Sequence, residues 1–319
     1  MRRFAKAALL AGALGLGFSG GASAQADKQV TILASVPGLT FPFFVHMMNQ
    51  VKAQAETLGN IEVIESDGQV SSPKQTADVE AAITRGVDGI VISPNEVDAM
   101  APALQQAVEA GIPVVTIDRR VDQVEGILAH VGADNVKGGE AQGQLIRQLF
   151  PDGATIINLQ GQSGASPAID RNKGLHNMLD AAGDKYKIVF EQTAGFDRAR
   201  GLSVTESALA SMDAPPDVIV AANDDMALGA MEAVKARDLG GKVAIIGFDA
   251  LPEALAQVRD GGLTATIEQF PGAQSRRAVD ILVAHLREGK APEQKVELIT
   301  PVAITKDNID QAERLGEVK

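Results

Sequence analysis

Short apolar runs rich in β-branched residues alternate along the chain with longer amphipathic stretches, and a polar tip follows each run. "QVTILAS" leads into "FFVHMMNQVKAQAETLG", "IEVIESD" into "SPKQTADVEAAITRG", and "DGIVISPNE" into "VDAMAPALQQAVEAG". "IPVVTIDRR" ends this series, with "GILAHVGADN" as a further strand. The pattern restarts near Asn135 with "ATIINLQGQSG", "YKIVFEQTAGFDR", "DVIVAANDD" and "KVAIIGFDA", each trailed by a helical stretch. Runs this short read as strands and the longer stretches as helices with one apolar face. Gly59, Gly86 and Gly111 stand where helices should end. Strand–helix alternation predicts parallel sheets with right-handed crossovers and helices on both faces. The restart predicts two such sheets, and no Gly/Ser-rich or Pro-rich linker separates them.

The first 24 residues break the pattern. Arg2, Arg3 and Lys6 precede an apolar run that closes on small residues at Ala22 and Ala24, which is the layout of a secretory signal peptide cleaved after Ala24. With no cysteine anywhere, lipid anchoring, disulfides and thiol chemistry are not expected. An exported protein without disulfides must rest on packed cores, and residues 25–319 are long enough for two domains. Setting aside the three basic leader residues, 29 Lys+Arg fall to 26 against 41 Asp+Glu, a formal charge of −15. Such acidity argues against nucleic acid as a partner. His46, His130, His176 and His285 occur singly, without ligand spacing, so neither a metal nor another cofactor is expected.

In an open parallel sheet the ligand lies beyond the carboxyl ends of the strands. Those tips are Phe41–Phe44, Ser66–Gln69, Pro94–Glu96, Asp118–Arg120, Gln160–Ser166, Phe196–Arg198, Asn223–Asp225, Phe248–Asp249, and Gln269 at the end of "LTATIEQFP". They collect arginines, carboxylates, amides and phenylalanines. Arg and Asp can bond neighbouring hydroxyls in pairs, and aromatic faces pack on the C–H faces of a sugar ring. Asp118 and Asp249 balance Arg119 and Arg171, whereas a phosphate or carboxylate site should carry surplus positive charge. The expected ligand is therefore neutral and rich in hydroxyls. The cluster Phe41, Phe43 and Phe44 is notable in a chain with only five other Phe outside the leader, one Tyr and no Trp. It could instead be a hydrophobic staple at a helix start, and Asp118–Arg119 a surface ion pair. Asn223 is suited to cap the next helix, which lowers Asp224 and Asp225 as ligands; Arg120 is expected to be solvated.

"TFPFF", "PVVTIDRR", "HVGADNVKGGE", "INLQGQSGASPAIDRNKG", "GFDRARGL", "AANDDMALGAMEAV", "IIGFDALPEA" and "TATIEQFP", in this order from about Val30 to Ile304, together resemble the ribose-binding group of periplasmic sugar-binding proteins. The resemblance implies an α/β fold of the periplasmic binding protein type I, two Rossmann-like lobes joined by a three-strand hinge. It implies an N-terminal lobe of 25–133 plus 270–300 and a C-terminal lobe of 134–269 plus 301–319. It implies a monomer that closes on a monosaccharide or polyol and delivers it to the membrane subunits of an ABC importer. Phe43, Phe44 and Phe196 would be walls on the sugar; Asp118, Arg119, Arg171, Asn223, Asp249 and Gln269 would hydrogen-bond it. At Phe41 the ribose-type pattern has an asparagine that bonds the sugar, and its segment is two residues shorter than "SVPGLTFPFF". Phe41 is therefore expected to face the cleft, and the ligand to be a sugar or polyol other than ribose.

Four other readings can be set beside this one. A transcription repressor of this fold would carry a helix-turn-helix where this chain has its leader. A sugar-modifying enzyme could use Asp118 and Asp249 as acid and base, although the expectation is that the chain is not an enzyme. "GQSGA" has Ala165 where a nucleophile elbow needs glycine. A chemoreceptor remains open as a second reader of the closed form.

Overall fold

The computed structural model describes residues 29–318, and the leader expected at residues 1–24 lies outside the described residues. Two parallel sheets carry the chain. The first has the strand order β11-β5-β4-β3-β1-β2, built from β1 (Val30–Val36), β2 (Ile61–Asp67), β3 (Gly89–Ile92), β4 (Val114–Ile117), β5 (Ala129–Ala133) and the late strand β11 (Val296–Ile299). The second has the order β7-β6-β8-β9, from β6 (Ala154–Gln160), β7 (Tyr186–Thr193), β8 (Val218–Ala221) and β9 (Ala244–Ile246). Central strands such as "GIVI" and "VVTI" are buried at every position, as sheets covered on both faces require.

Helices supply that cover. On the first sheet, α1 (Pro42–Leu58) packs Met47, Met48 and Val51 against one face beside α9 (Pro271–Glu288). On the other face α2 (Ser72–Arg85) and α3 (Val97–Glu109) bring Val79, Met100 and Leu104. The second sheet is covered by α4 (Asn135–Leu149) and α5 (Ser166–Asp180) on one side, and by α6 (Arg198–Ala210) and α7 (Asp224–Ala236) on the other. Here the helices touch backbone to backbone. A Cβ on Gly139 of α4 would fall 2.0 Å from the Arg171 carbonyl oxygen, and one on Gly174 of α5 would fall 2.0 Å from that of Val136.

The chain passes between the sheets after β5, after β10 (Thr266–Glu268), and between β11 and β12 (Val302–Ile304); β10 and β12 pair antiparallel. Glu268 organises this junction. Its buried carboxylate accepts the backbone N–H groups of Gln269 at 2.8 Å, Phe270 at 2.6 Å and Glu313 at 2.8 Å. Glu313 in turn accepts from Gly272 and Ala273 at 2.8 and 3.0 Å, at the start of α9. Burial pushes the Glu268 carboxyl up to about 7 against the pull of its N–H donors.

Candidate functional site

The carboxyl ends of both sheets open on one shared cavity, where a parallel α/β fold places its ligand. It is lined by Phe41, Phe43, Phe44, Asp118, Arg119, Arg171, Phe196, Asn223, Asp249 and Gln269, together with Pro167 and Asp225. The ten residues singled out from the sequence are thus brought together. Pro167 and Asp225 were not among them.

Local backbone geometry aims these side chains. Asp118, Phe196 and Asp249 each end or follow a strand with φ of 56°, 63° and 112°. Side chains rarely adopt this left-handed region, at a cost of about 1–3 kcal/mol each. The neighbouring strands hold the conformation: Asp118 N–H bonds the Val131 carbonyl at 3.0 Å and Asp249 N–H that of Ile267 at 2.8 Å.

The aromatic wall forms at the start of α1, where Pro42 occupies the first turn and Phe41 the N-cap without a side-chain capping bond. Phe43 and Phe44 are buried and meet edge to face at 5.2 Å; Phe41 is half-buried and meets Phe44 at 6.2 Å. Val45, where a hydrophobic staple would need its partner, faces solvent instead.

Both arginines are almost wholly buried. The Arg119 guanidinium lies between Phe44 and Phe196, 5.3 and 5.5 Å from their ring centroids. Its Nη1 donates to the Asn95 carbonyl at 2.7 Å and to Gln162 Oε1 at 3.2 Å. Arg171 stacks on Phe248 at 3.6 Å, donates through Nε to Asn135 Oδ1 at 2.8 Å and through Nη1 to the Ala222 carbonyl at 2.6 Å. These bonds fix each planar fork and leave further N–H groups for a ligand oxygen.

The carboxylates stand beside the arginines. Asp118 is 3.8 Å from Arg119 and accepts from Ser93 Oγ at 3.1 Å; Asp249 is 3.5 Å from Arg171. All four side chains are at most 5% exposed, so Asp118–Arg119 is no surface pair. Burial raises the Asp118 carboxyl, opposed by Arg119 and Arg171. Burial raises Asp249 to about 8, opposed by Arg171 and assisted by Asp118. Arg119 is lowered by burial to about 10, which still leaves it charged at neutral pH. Asp225 adds a carboxylate to the lining, bonded by Arg198 through Nη2 at 3.1 Å. Asn223 caps α7 through Oδ1 to the Met226 N–H at 3.0 Å and donates to the Phe196 carbonyl at 3.2 Å. Asp224, beside it, is buried beneath the site, accepting from Thr266 Oγ1 and Leu251 N–H. Among the described residues no group of three His, Cys, Asp or Glu is placed to hold a metal ion.

Arg120, expected to be solvated and not in the site, does not line the cavity. It is partly exposed and also paired, donating to Asp122 at 2.8 Å and to both oxygens of Asp170. Asp122 lies two residues away and Asp170 fifty residues on; neither partner was singled out from the sequence.

Residues 32–291 match the family model described as a periplasmic binding protein domain. The chain is 41% identical over 248 residues to the ribose import binding protein of Bacillus subtilis (strain 168), covering 76% of this chain and 77% of that protein. It is 36% identical over 280 residues to the ribose import binding protein of Escherichia coli (strain K12), covering 86% and 90%. Among solved structures it is similar to the Caulobacter myo-inositol binding protein bound to myo-inositol, at 40% identity and a TM-score of 0.88, covering 95% of this chain and 100% of the other. With its site residues gathered between two parallel sheets, the chain belongs to the periplasmic binding protein domain family and is a solute-binding protein.

Proposed function

We propose that the protein captures a neutral cyclic polyol or monosaccharide in this cavity and presents it to an ABC importer, without altering it chemically. The observation that carries the reading is the pairing of side chains in the cavity: each of two buried arginines stands beside a buried carboxyl group, set among phenylalanine rings. Such a site offers paired donors and acceptors to neighbouring hydroxyls. Each carboxylate stands next to an arginine, an arrangement suited to holding hydroxyls more than to proton transfer. The lobes would be residues 25–133 plus 270–300 and residues 134–269 plus 301–319, closing about the three crossings as a monomer in the periplasm.

Within this class we favour a six-membered polyol of the inositol type over ribose. Phe41 presents a ring to the cavity where the ribose-type pattern has an amide, and the similar Caulobacter protein is bound to myo-inositol. A thermal-shift screen of the leader-free protein over inositols, pentoses and hexoses, followed by calorimetry, tests this, because a solute specific to the native state raises the melting temperature. Myo-inositol should give the larger shift and ribose the smaller. Equal shifts, or a shift with sugar phosphates alone, would overturn the reading. Chromatography of the recovered solute should show it unchanged, and any product would make the protein an enzyme.

A further inference from the structure

Beside the cavity the two lobes bond each other directly. The tips of β3 and β4 face the loop between β6 and α5, and Val97 N–H donates to the Gly164 carbonyl at 3.0 Å. The Arg120 N–H donates to Ser166 Oγ at 3.0 Å. Gln162 reaches back to Asn95 Oδ1 at 3.2 Å while accepting from Arg119. At the outer edge Arg120 holds Asp170 with both terminal nitrogens, and its Nε keeps Asp122 of its own lobe. None of these bonds requires a solute.

We infer that this seam, clasped by Arg120 and Asp170, sets how much of the solute-free protein is shut, and so scales affinity for every solute alike. Asp122 pre-orients the Arg120 fork, so closure orders little further side chain when Asp170 arrives. The pair is only partly exposed, 34% and 15% by side chain, which separates it from fully solvated pairs of negligible worth. Apparent affinity is the intrinsic affinity multiplied by the fraction of competent protein. Arg120 and Asp170 do not line the cavity, so loosening them alters that fraction and not the contacts.

The inference rests on the proposed cleft closure, but its test does not need a ligand. The chain has no cysteine, so spin labels at Glu109→Cys and Glu206→Cys, one per lobe, report the solute-free distance distribution. Arg120→Met and Asp170→Ala should each shift that distribution toward longer distances. The reversed pair, Arg120→Asp with Asp170→Arg, should restore part of the short population. Calorimetry with myo-inositol and ribose should show both affinities falling by the same factor, on the order of 3–10-fold. An unchanged distance distribution in both single variants overturns the inference, as does a changed ratio between the two affinities. If the unaltered protein binds neither solute, the functional reading fails while the distance measurement still decides the clasp.

Discussion

Gln269 donates its side-chain N–H to Asp249 Oδ1 across 2.6 Å, and its own amide oxygen is buried with no hydrogen-bond partner among the described residues. A buried acceptor left unpaired costs about 1–3 kcal/mol, and a solute hydroxyl in the cavity would relieve it. Asp249 is affected in the same event. Burial holds its carboxyl at about 8 in the solute-free protein, above its unfolded value. The stability this provides is present at low pH and is lost as pH rises through about 8. Hydroxyls donating to Asp249 favour its charged form, so binding should release a proton. Affinity should rise between about pH 6 and 8, by up to about tenfold per unit for one full proton. Calorimetry at pH 7 in two buffers of different ionisation enthalpy counts the proton, and zero exchange would show Asp249 to be ionised already.

Arg119→Lys should behave as a severe change. An ammonium cannot reproduce a fork held between two rings while bonding Asn95 and Gln162. Truncating Arg119 or Arg171 to Ala should cost about 2–4 kcal/mol of binding, much of it from leaving Asp118 or Asp249 unpaired. Unchanged affinity for Arg171→Ala in calorimetry would remove that residue from the site.

Phe41→Asn tests selectivity. The ring lines the cavity and is only half-buried, resting edge-on against Phe44. The substitution should weaken myo-inositol binding and improve ribose relative to it, with a melting temperature near that of the parent. A lower melting temperature with an unchanged preference would assign the ring to packing alone, because a buried unpaired amide destabilises.

Gly139→Ala should act on stability first. Its Cβ would meet the Arg171 carbonyl at 2.0 Å, forcing α4 and α5 apart at a cost of about 1–3 kcal/mol. Because the same displacement moves Arg171, affinity should fall with the melting temperature. Thermal unfolding and calorimetry on this variant read both, and an unshifted melting temperature would show that the helices re-space freely.

The strand tips were legible because period and polarity mark them: "PVVTIDRR" and "AIIGFDA" each run apolar to a charged end, and the fold places ligands there. The roles of Phe43 and Arg171 come from likeness, since an arginine inside "AIDRNKG" reads equally well as a solvated helix residue. Other features left no local trace. Phe196 adopts a left-handed turn normally marked by glycine. Asp225 reads as helix-cap chemistry, and its place in the cavity wall depends on the angle at which α7 enters. Asp170 and Gln162 meet partners 50 and 67 residues away, across a gap that only the folded lobes define.

Glu268 gives the junction a further property. It grips the peptide nitrogens of Gln269 and Phe270, so the residue that lines the cavity and the crossing between the sheets are tied to one carboxylate. Under the proposed closure, a solute bonded to the Gln269 amide would pull directly on the crossing, and one too small to reach it would not. The angle between the lobes would then gauge what is held, and a membrane component touching both lobes at once could read it from outside.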